Sequence, residues 1–420
     1  MIADANILLI TYTLLGPLPW LLLLALMLLG RERMMRLKRK IDPLPETPPH
    51  VSIIIPAKDE GAGISQCIAR VLALDYPSFD VVAVNDRSRD ETGTVLDSLA
   101  RDAPPEKLRV IHIQPGQLPD GWLGKCNALQ IGSRGARGDW LLFVDSDVAV
   151  EPNALRDALA VCEQRNYDAL SITSRLECHG FLERLVLPLA AGAWAIIFTV
   201  AHTNDDDETE SAAANGQFFL VRRAAYESLH GHQSVRDQIV EDVELMRLLK
   251  SRGYRCRFFF GDHLASTRMH ATWKQMLHGW GRIYSGTARR KMGRIIAAML
   301  FLLICGFSLY PAIVYGIYDT VTNHGWYWLA LAGAHAICLG IVISMVYRTA
   351  GNRIRYTFAF PIGSAILLIF FAYAMRLCRT GKILWRGTEF TATQAPNATH
   401  AHAPHAGPKR TRAGPDSSDS

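Results

Sequence analysis

The chain has 420 residues, 49% of them hydrophobic and 20% charged, with 45 Lys and Arg against 39 Asp and Glu for a net charge of +6. A mean hydropathy of +0.09 alongside that many charges requires clustered apolar residues, which excludes a disordered or collagen-like chain. Eight cysteines without a CxxC or a close Cys/His pairing exclude a small stapled fold, a zinc site of ordinary spacing and a thioredoxin-like motif.

Ile7 to Leu29 carries no charge and is long enough to cross ~30 Å of hydrocarbon. It is too long for a signal peptide, lacks the basic start, and no small-residue cleavage site follows. Residues 1–30 are therefore expected to be an anchor. Arg31, Arg33, Arg36, Lys38, Arg39 and Lys40 follow in a basic linker over 31–49, and the positive-inside rule places what comes next in the cytoplasm.

From 50 to 292 the pattern changes to short apolar strands alternating with helical stretches. Val51–Pro56, Asp80–Val84, Arg109–Ile113 and Trp140–Val144 read as buried strands, with a helix expected over Gly63–Leu74. Such alternation predicts an α/β domain with a mostly parallel sheet covered on both faces. Ligands of such sheets bind beyond the carboxyl ends of the strands. Asp59 and Glu60 follow the first strand, Asp86 the second, and Asp145 and Asp147 the fourth. An Asp there also serves as a helix cap or turn residue. Three acidic clusters at one sheet edge repel one another unless a cation or polar ligand compensates them. In Asp145-Ser146-Asp147 one carboxylate can reach a divalent metal, Mn²⁺ or Mg²⁺, which takes oxygen ligands and bridges to phosphates.

Phe181–Val200 is apolar but holds Glu183, Arg184 and Pro188, and is expected to be a surface-lying helix that opens the site towards lipid. Asp205–Glu210 is an acidic run, expected to be a solvated loop. Ile295–Tyr318, Trp326–Tyr347 and Phe358–Leu377 form an apolar region over 293–378, each near spanning length. Arg289, Arg290, Lys291 and Arg294 precede the first, the Tyr318–Trp326 link has no Lys or Arg, and Arg348, Arg353 and Arg355 follow the second. If the last stretch spans, Arg376, Arg379, Lys382 and Arg386 lie outside, against the rule; Pro361 and Gly363 also permit a re-entrant piece. A basic, then disordered, tail fills 379–420, and from Gln394 it is rich in Ala, Pro, Gly and Ser.

Six segments, VSIIIPAKDE (51–60), VVAVNDRSRDETG (81–93), GWLGKCNALQIG (121–132), LLFVDSDV (141–148), ANGQFFLVRR (214–223) and EDVELMRLLKSRGYR (241–255), resemble in order and spacing a membrane-bound family 2 glycosyltransferase of GT-A fold. The flanking anchors resemble ceramide-glucosyltransferase-like and hopene-associated members. The resemblance implies a nucleotide-diphospho-sugar transferase fold with flanking transmembrane helices. It implies that Pro56, Ala57, Glu60 and Asp86 bind the donor nucleoside, with Lys125 and Asp145 near the diphosphate and Asp145 and Asp147 at the metal. Asp242 would be the catalytic base, with Glu241 the next candidate, and Asn215, Gly216 and Gln217 would face the acceptor. The family's Gln-x-x-Arg-Trp motif is replaced by TWKQMLHGWGR (272–282), where Gln275, Trp280 and Arg282 are the acceptor-side candidates and an interfacial helix is the plainer reading. That departure favours transfer of a single sugar to a lipid over a processive polysaccharide synthase. The intact carboxylates argue against a non-catalytic membrane scaffold. The implied enzyme is an inverting hexosyltransferase of the inner membrane, multi-pass, with its catalytic domain in the cytoplasm. Juxtamembrane basic clusters on anionic lipid account for the net charge without nucleic acid.

Overall fold

The computed structural model describes residues 2–30, 36–37, 43–198, 200–385 and 388–391. Arg31, Arg33, Lys38, Arg39, Lys40, Arg386 and the tail from Gln394 lie outside the described residues. The N-terminal apolar run forms two helices, α1 (Ile2–Leu15) and α2 (Pro17–Leu29), with Gly16 between them. Pro17 lacks an N–H and clashes with a preceding turn, so it starts a helix more readily than it continues one.

The region from Val51 to Thr287 alternates strands and helices. In chain order these are β1 (Val51–Ala57), α3 (Ile64–Leu72), β2 (Phe79–Asp86), α4 (Thr92–Asp102), β3 (Leu108–Ile113), α5 (Gly124–Gly135), β4 (Trp140–Phe143), β5 (Val148–Val150) and α6 (Ala154–Arg165). The second half holds β6 (Ala169–Thr173), β7 (Arg175–Leu176), α7 (Phe181–Ile197), β8 (Phe219–Arg222), α8 (Arg223–Ser228), α9 (Glu241–Ser251), β9 (Cys256–Phe260), β10 (Ala265–Thr267) and α10 (Trp273–Thr287). Seven strands form one sheet in the order β3-β2-β1-β4-β8-β6-β9, with only β8 antiparallel to its neighbours. The mostly parallel sheet expected from the alternation is present.

Strand β1 is buried along its whole length, which its near-continuous apolar run requires of a central parallel strand. Its side chains alternate between faces. Ile53 and Ile55 join Ile68 and Leu159 in the core on one face, while Ile54 joins Leu129, Leu245 and Leu249 on the other. A smaller sheet, β5-β10-β7, begins one residue after Asp147 and gives that loop a second wall.

Four more helices follow: α11 (Gly293–Leu300), α12 (Leu309–Asn323), α13 (Tyr327–Thr349) and α14 (Phe360–Thr380). A π-helical turn over Phe301–Gly306 joins α11 to α12, and the Trp20 indole N–H donates to the Cys305 carbonyl within it at 2.9 Å. Among the described residues four helical segments, Ile7–Leu29, Gly293–Asn323, Tyr327–Thr349 and Ile354–Thr380, are long and apolar enough to cross a membrane.

Helix α7 packs one face into the apolar bundle. Leu185, Val186, Leu189 and Ala190 are buried in the same core as Trp280, Tyr284, Val342 and Phe371, so α7 and α10 are layers between the sheet and the apolar bundle. The Tyr284 hydroxyl donates to the Ala190 carbonyl at 2.7 Å and the Tyr347 hydroxyl to the Leu185 carbonyl at 2.7 Å, in a helix whose Pro188 removes a backbone donor. Gly192 and Gly363 make the fit possible: a Cβ on the first would stand 2.6 Å from Val346 of α13, and on the second 2.5 Å from Leu189. Charge in the first turn suggested exposure, yet Glu183 accepts from the His179 and Gly180 N–H groups and so caps the helix.

The last apolar stretch forms helix α14. Pro361 falls in its first turn and does not break it. It runs along α10, with ring pairs Trp273–Phe370, His278–Tyr373 and Tyr284–Phe371, and ends where Arg290 donates to the Cys378 carbonyl at 3.3 Å. Both ends of α14 thus meet elements of the catalytic side, α7 at the start and Arg290 at the finish.

Candidate active site

The strand order places β1 beside β4, and their carboxyl ends open into a recess at the point where the chain direction of winding reverses, the position at which such sheets bind ligands. The loops after β1 and β2 are laced together there. The Glu60 N–H donates to the Thr92 hydroxyl at 2.8 Å, the Gly61 N–H to Asp90 at 2.9 Å, and the Asp59 N–H to the Ser88 hydroxyl at 3.0 Å. Asp59 itself holds a positive φ of 53°, a conformation Asp tolerates better than most residues. Asp86 is buried and takes a two-pronged ion pair from its neighbour Arg87, at 2.6 and 2.9 Å. Gly124 at the start of α5 makes room: a Cβ there would lie 2.6 Å from the Asp86 carboxylate.

Lys125, the next residue of α5, is the centre of the recess. Its ammonium pairs with Asp145 at 2.7 Å and with Glu241 at 2.8 Å, and the charges of Asp145, Glu241 and Asp242 hold its pKa well above the usual lysine value against the opposing effect of burial. Asp147, two residues beyond Asp145, reaches solvent but is crowded by protein. Burial and the negative charges of Asp145 and Glu60 push its pKa up to about 6. The Thr267 hydroxyl of β10 donates to the Asp147 carbonyl at 3.2 Å, so the smaller sheet fixes that loop from behind.

Glu241 and Asp242 open α9 on the other side of Lys125. Asp242 accepts from the Gly216 N–H at 2.6 Å and from the Val243 N–H at 2.8 Å. Burial and the adjacent Glu241 nevertheless raise its pKa to about 7, with Lys125 and the two N–H groups pulling the other way. Gly216 approaches so closely that a Cβ would sit 2.9 Å from the Lys125 ammonium and 3.5 Å from Asp145. Asn215 and Gln217 flank it in a tight local network: the Asn215 amide donates to the Gln217 side-chain oxygen at 2.9 Å, and the Gln217 amide reaches the Met269 sulfur at 2.9 Å.

The recess thus gathers Glu60, Lys125, Asp145, Asp147, Gly216, Glu241 and Asp242, with Asp86 at its edge and Pro56 and Ala57 at the end of β1. The segment from 272 to 282 forms the cap and first turns of α10. Gln275 is exposed and caps α10 reciprocally with Thr272, as each backbone N–H donates to the other side chain. Trp280 is buried in the core shared with the apolar bundle. Arg282 is half-buried on the same helix, and its charge is felt by His270. His270 packs against Gly279, and burial lowers its pKa to about 4. Asp205–Glu210 is a loop as expected, with Asp206 turned back to a two-pronged pair with Arg257 at 2.5 and 2.9 Å. All eight cysteines are free thiols.

Sequence reasoning did not anticipate that Lys125 bridges the two carboxylate groups, nor that Glu60 faces Asp147. The first had a signal: a GK at the start of a helix after a strand places the lysine over the sheet edge. It also missed Glu244, one turn into α9, whose carboxylate is held by Arg247 and by Arg289 at 2.6 Å. The i,i+3 spacing to Arg247 was a local signal, but no local pattern joins Glu244 to Arg289.

Residues 48–285 match the family described as glycosyltransferase like family 2. The chain is 25% identical over 256 residues to a probable glycosyltransferase of Bacillus subtilis, YdaM, a stretch covering 60% of this chain and 57% of that one. It is 24% identical over 242 residues to the 4,4'-diaponeurosporenoate glycosyltransferase of Staphylococcus haemolyticus, covering 56% and 61%. The chain therefore spans little more than half the length of these curated relatives. Among solved structures, the mannosyltransferase PcManGT from Pyrobaculum calidifontis, in complex with GDP-Man and Mn²⁺, superposes with a TM-score of 0.50 at 17% identity, over 90% of this chain and 99% of that one, and shares its GT-A fold. Because the family match takes in every strand of the large sheet and every residue of the recess, the chain belongs to glycosyltransferase like family 2.

Proposed function

We propose that this enzyme moves one sugar from a nucleotide-sugar to a hydroxyl of a membrane lipid, with inversion at the anomeric carbon. The observation that carries this reading is Asp242: a solvent-reaching carboxylate with a pKa near 7, opening onto the same recess as Asp145 and Asp147. A sugar or lipid hydroxyl is a poor nucleophile, and a carboxylate of that basicity within hydrogen-bond reach can take its proton as the new bond forms. The two backbone N–H groups fix the carboxylate's direction before the acceptor arrives. Lys125 sits between the base and the departing diphosphate, so its positive charge is placed for the negative charge that develops there. Pro56, Ala57, Glu60 and Asp86 are assigned to the nucleoside end, and Asn215, Gly216 and Gln217 to the acceptor side.

A divalent cation, Mn²⁺ or Mg²⁺, fits the remaining carboxylates. Among the described residues no three His, Cys, Asp or Glu side chains form a ready cage, which suits an ion that takes one or two carboxylates and completes its shell with phosphate and water. Asp147 lies beside the negative charges of Asp145 and Glu60, which a bound cation would compensate. Asp145 and Asp147 would hold the ion, which would neutralise the leaving diphosphate. The Pyrobaculum mannosyltransferase's complex with GDP-Man and Mn²⁺ supports that assignment, and the burial of α7 and α10 against the apolar bundle supports a lipid acceptor.

The test is a panel of nucleotide-sugars offered to the purified full chain with lipid extract, with and without metal, for the wild type and Asp242→Asn. Donor binding should stay near wild type while turnover falls by a factor on the order of 10²–10⁴. Near-normal turnover in Asp242→Asn would move the base elsewhere.

A further inference from the structure

Phe358, in the 3₁₀ turn Ile354–Ala359 between α13 and α14, is 91% exposed, more than any other large apolar side chain among the described residues. Three residues complete a 3₁₀ turn, so Arg355 stands beside Phe358 on one edge. Ile354, Arg353 and Arg348 are exposed next to them. No Asp or Glu occurs between Asp319 and Glu389, and none of these three arginines forms an ion pair among the described residues. The turn is nonetheless firmly held. Tyr356 is buried, with its ring 5.9 Å from that of Tyr347 and 5.9 Å from that of Phe181. The Asn352 amide reaches the Cys178 sulfur at 3.7 Å, and the hydroxyls of Ser344 and Thr357 meet at 3.0 Å. Phe181 at the start of α7, 62% exposed, continues the same surface.

An exposed apolar prong beside cations with no carboxylate to answer them complements a surface that offers acyl chains behind fixed negative charge. The other end of α13 shows what the arginines add. At 1.5 Å per residue its 23 residues span about 34 Å, just over the ~30 Å of hydrocarbon, so its two ends reach opposite headgroup levels. At the far end Trp326 and Tyr327 stack at 4.3 Å and are exposed, and the turn that carries them has neither Lys nor Arg. Both ends thus have interfacial aromatics. Insertion of a ring is indifferent to lipid charge, whereas an arginine within a screening length of ~8 Å favours anionic headgroups. Only the α13–α14 end is built to make that choice. It is also linked to the recess: Glu183, two residues after Phe181, accepts from Arg268 at 3.4 Å, and the adjoining Met269 takes the Gln217 amide at 2.9 Å.

We propose that the α13–α14 turn and the start of α7 form a docking surface for an anionic bilayer leaflet, with Phe358 and Phe181 among the acyl chains and Arg353 and Arg355 on the headgroup phosphates. The surface does not depend on which molecule accepts the sugar, so its test uses no nucleotide-sugar. The full chain is placed in phosphatidylcholine nanodiscs holding a trace of photoreactive lipid. The probe is either phosphatidylglycerol or phosphatidylcholine, each with a diazirine on the acyl carbon nearest the glycerol. Labelled peptides are mapped by mass spectrometry after pepsin digestion. In the wild type the phosphatidylglycerol probe should label residues 348–358 and 179–184 about fivefold more than its phosphatidylcholine counterpart. The two probes should label the His324–Trp326 turn equally. Raising salt to about 1 M, where the screening length is ~3 Å, should abolish the preference. The double variant Arg353→Gln, Arg355→Gln should lose it at low salt while keeping its phosphatidylcholine labelling. Phe358→Ser should lower labelling by both probes. The three substitutions are of exposed side chains, so the melting temperature in detergent should stay near wild type, and the salt series on the wild type tests the charge preference without any variant.

Equal labelling of the α13–α14 turn by the two probes would overturn the proposal, as would the same anionic preference at His324–Trp326. A preference that survives in the double variant would take the arginines out of it, and unchanged labelling in Phe358→Ser would show that the ring does not reach the acyl chains. A lipid extract that never accepts sugar would end the lipid-acceptor reading and leave this surface standing.

Discussion

Lys125 holds two carboxylates, Asp145 and Glu241, and its position sets how Asp242, the proposed base, titrates. Asp242 has a pKa near 7 because burial and Glu241 outweigh Lys125. Below that pH it is protonated and cannot accept the acceptor's proton, so kcat/KM should rise with pH through about 7. Glu241→Gln removes the neighbouring negative charge and should move this rising limb to lower pH; Lys125→Met removes the cation and should move it higher. A limb that shifts upwards in Glu241→Gln would contradict the assignment. Stability follows the same sign. A carboxyl whose pKa is raised from 3.8 to about 7 contributes to folding below the lower value, and that contribution is lost as pH rises through the upper one. Asp242→Asn should therefore melt no lower than wild type at pH values above about 7, and a marked loss there would mean that the carboxylate is structural. Gly216→Ala carries a separate expectation. Its new methyl would crowd the Lys125 ammonium, the far end of a flexible side chain, so the fold should hold while the Lys125–Asp145 pair is displaced and turnover falls.

Helix α9 carries the proposed base on its first turn and an ion-pair network on its second. Glu244 is nearly buried, paired to Arg247 three residues on and to Arg289 after α10, and these partners hold its pKa below the usual glutamate value. Arg289 and its neighbour Arg290 both have positive φ, 47° and 60°, an uncommon pair for residues with side chains. Their guanidinium groups tie α9 and the end of α14 to one junction. Arg289→Ala should cost about 1–3 kcal/mol by leaving Glu244 short of a partner, and the double variant with Glu244→Gln should lose less than the sum of the singles. Additive losses in urea unfolding would show that the pair is not coupled. This scale also shows where the sequence was legible. Strand ends after VSIIIP, DVVAV and WLLFV could be read because each apolar run gives way to a carboxylate within three residues. Helix faces could not: Gln275 looked like a site residue, but a Thr-x-x-Gln spacing is equally the signature of a helix cap. Leu185 and Leu189 of α7 look the same in sequence whether they meet lipid or another helix.

At the scale of the whole molecule, the arrangement of basic residues and the path of α14 bear on one question, which side of the membrane each segment faces. Arg289, Arg290 and Lys291 precede α11 and Arg294 lies in its first turn, Arg348 lies in the last turn of α13 and Arg353 and Arg355 follow it, and the turn between α12 and α13 at His324–Trp326 carries neither Lys nor Arg. A spanning α14 would send Arg376 and Arg379 to the far side, against the charge rule. The packing removes that conflict. Helix α14 starts against α7, lies along α10 through Phe370, Phe371 and Tyr373, and finishes at Arg290. An element with both ends on the catalytic side does not have to cross, and apolar length alone cannot distinguish crossing from lying against protein. The expected outcome is that Thr380 and the catalytic sheet face the same compartment, while the α12–α13 turn faces the other. Single cysteines at Thr380, Asp102 and His324, introduced into the full chain with its native thiols retained as the background control, should separate under a membrane-impermeant maleimide applied to intact spheroplasts. His324→Cys should label from outside, and Asp102→Cys and Thr380→Cys only after lysis. Labelling of Thr380→Cys from outside with Asp102→Cys protected would mean that α14 crosses, and that its packing on α10 runs through the bilayer.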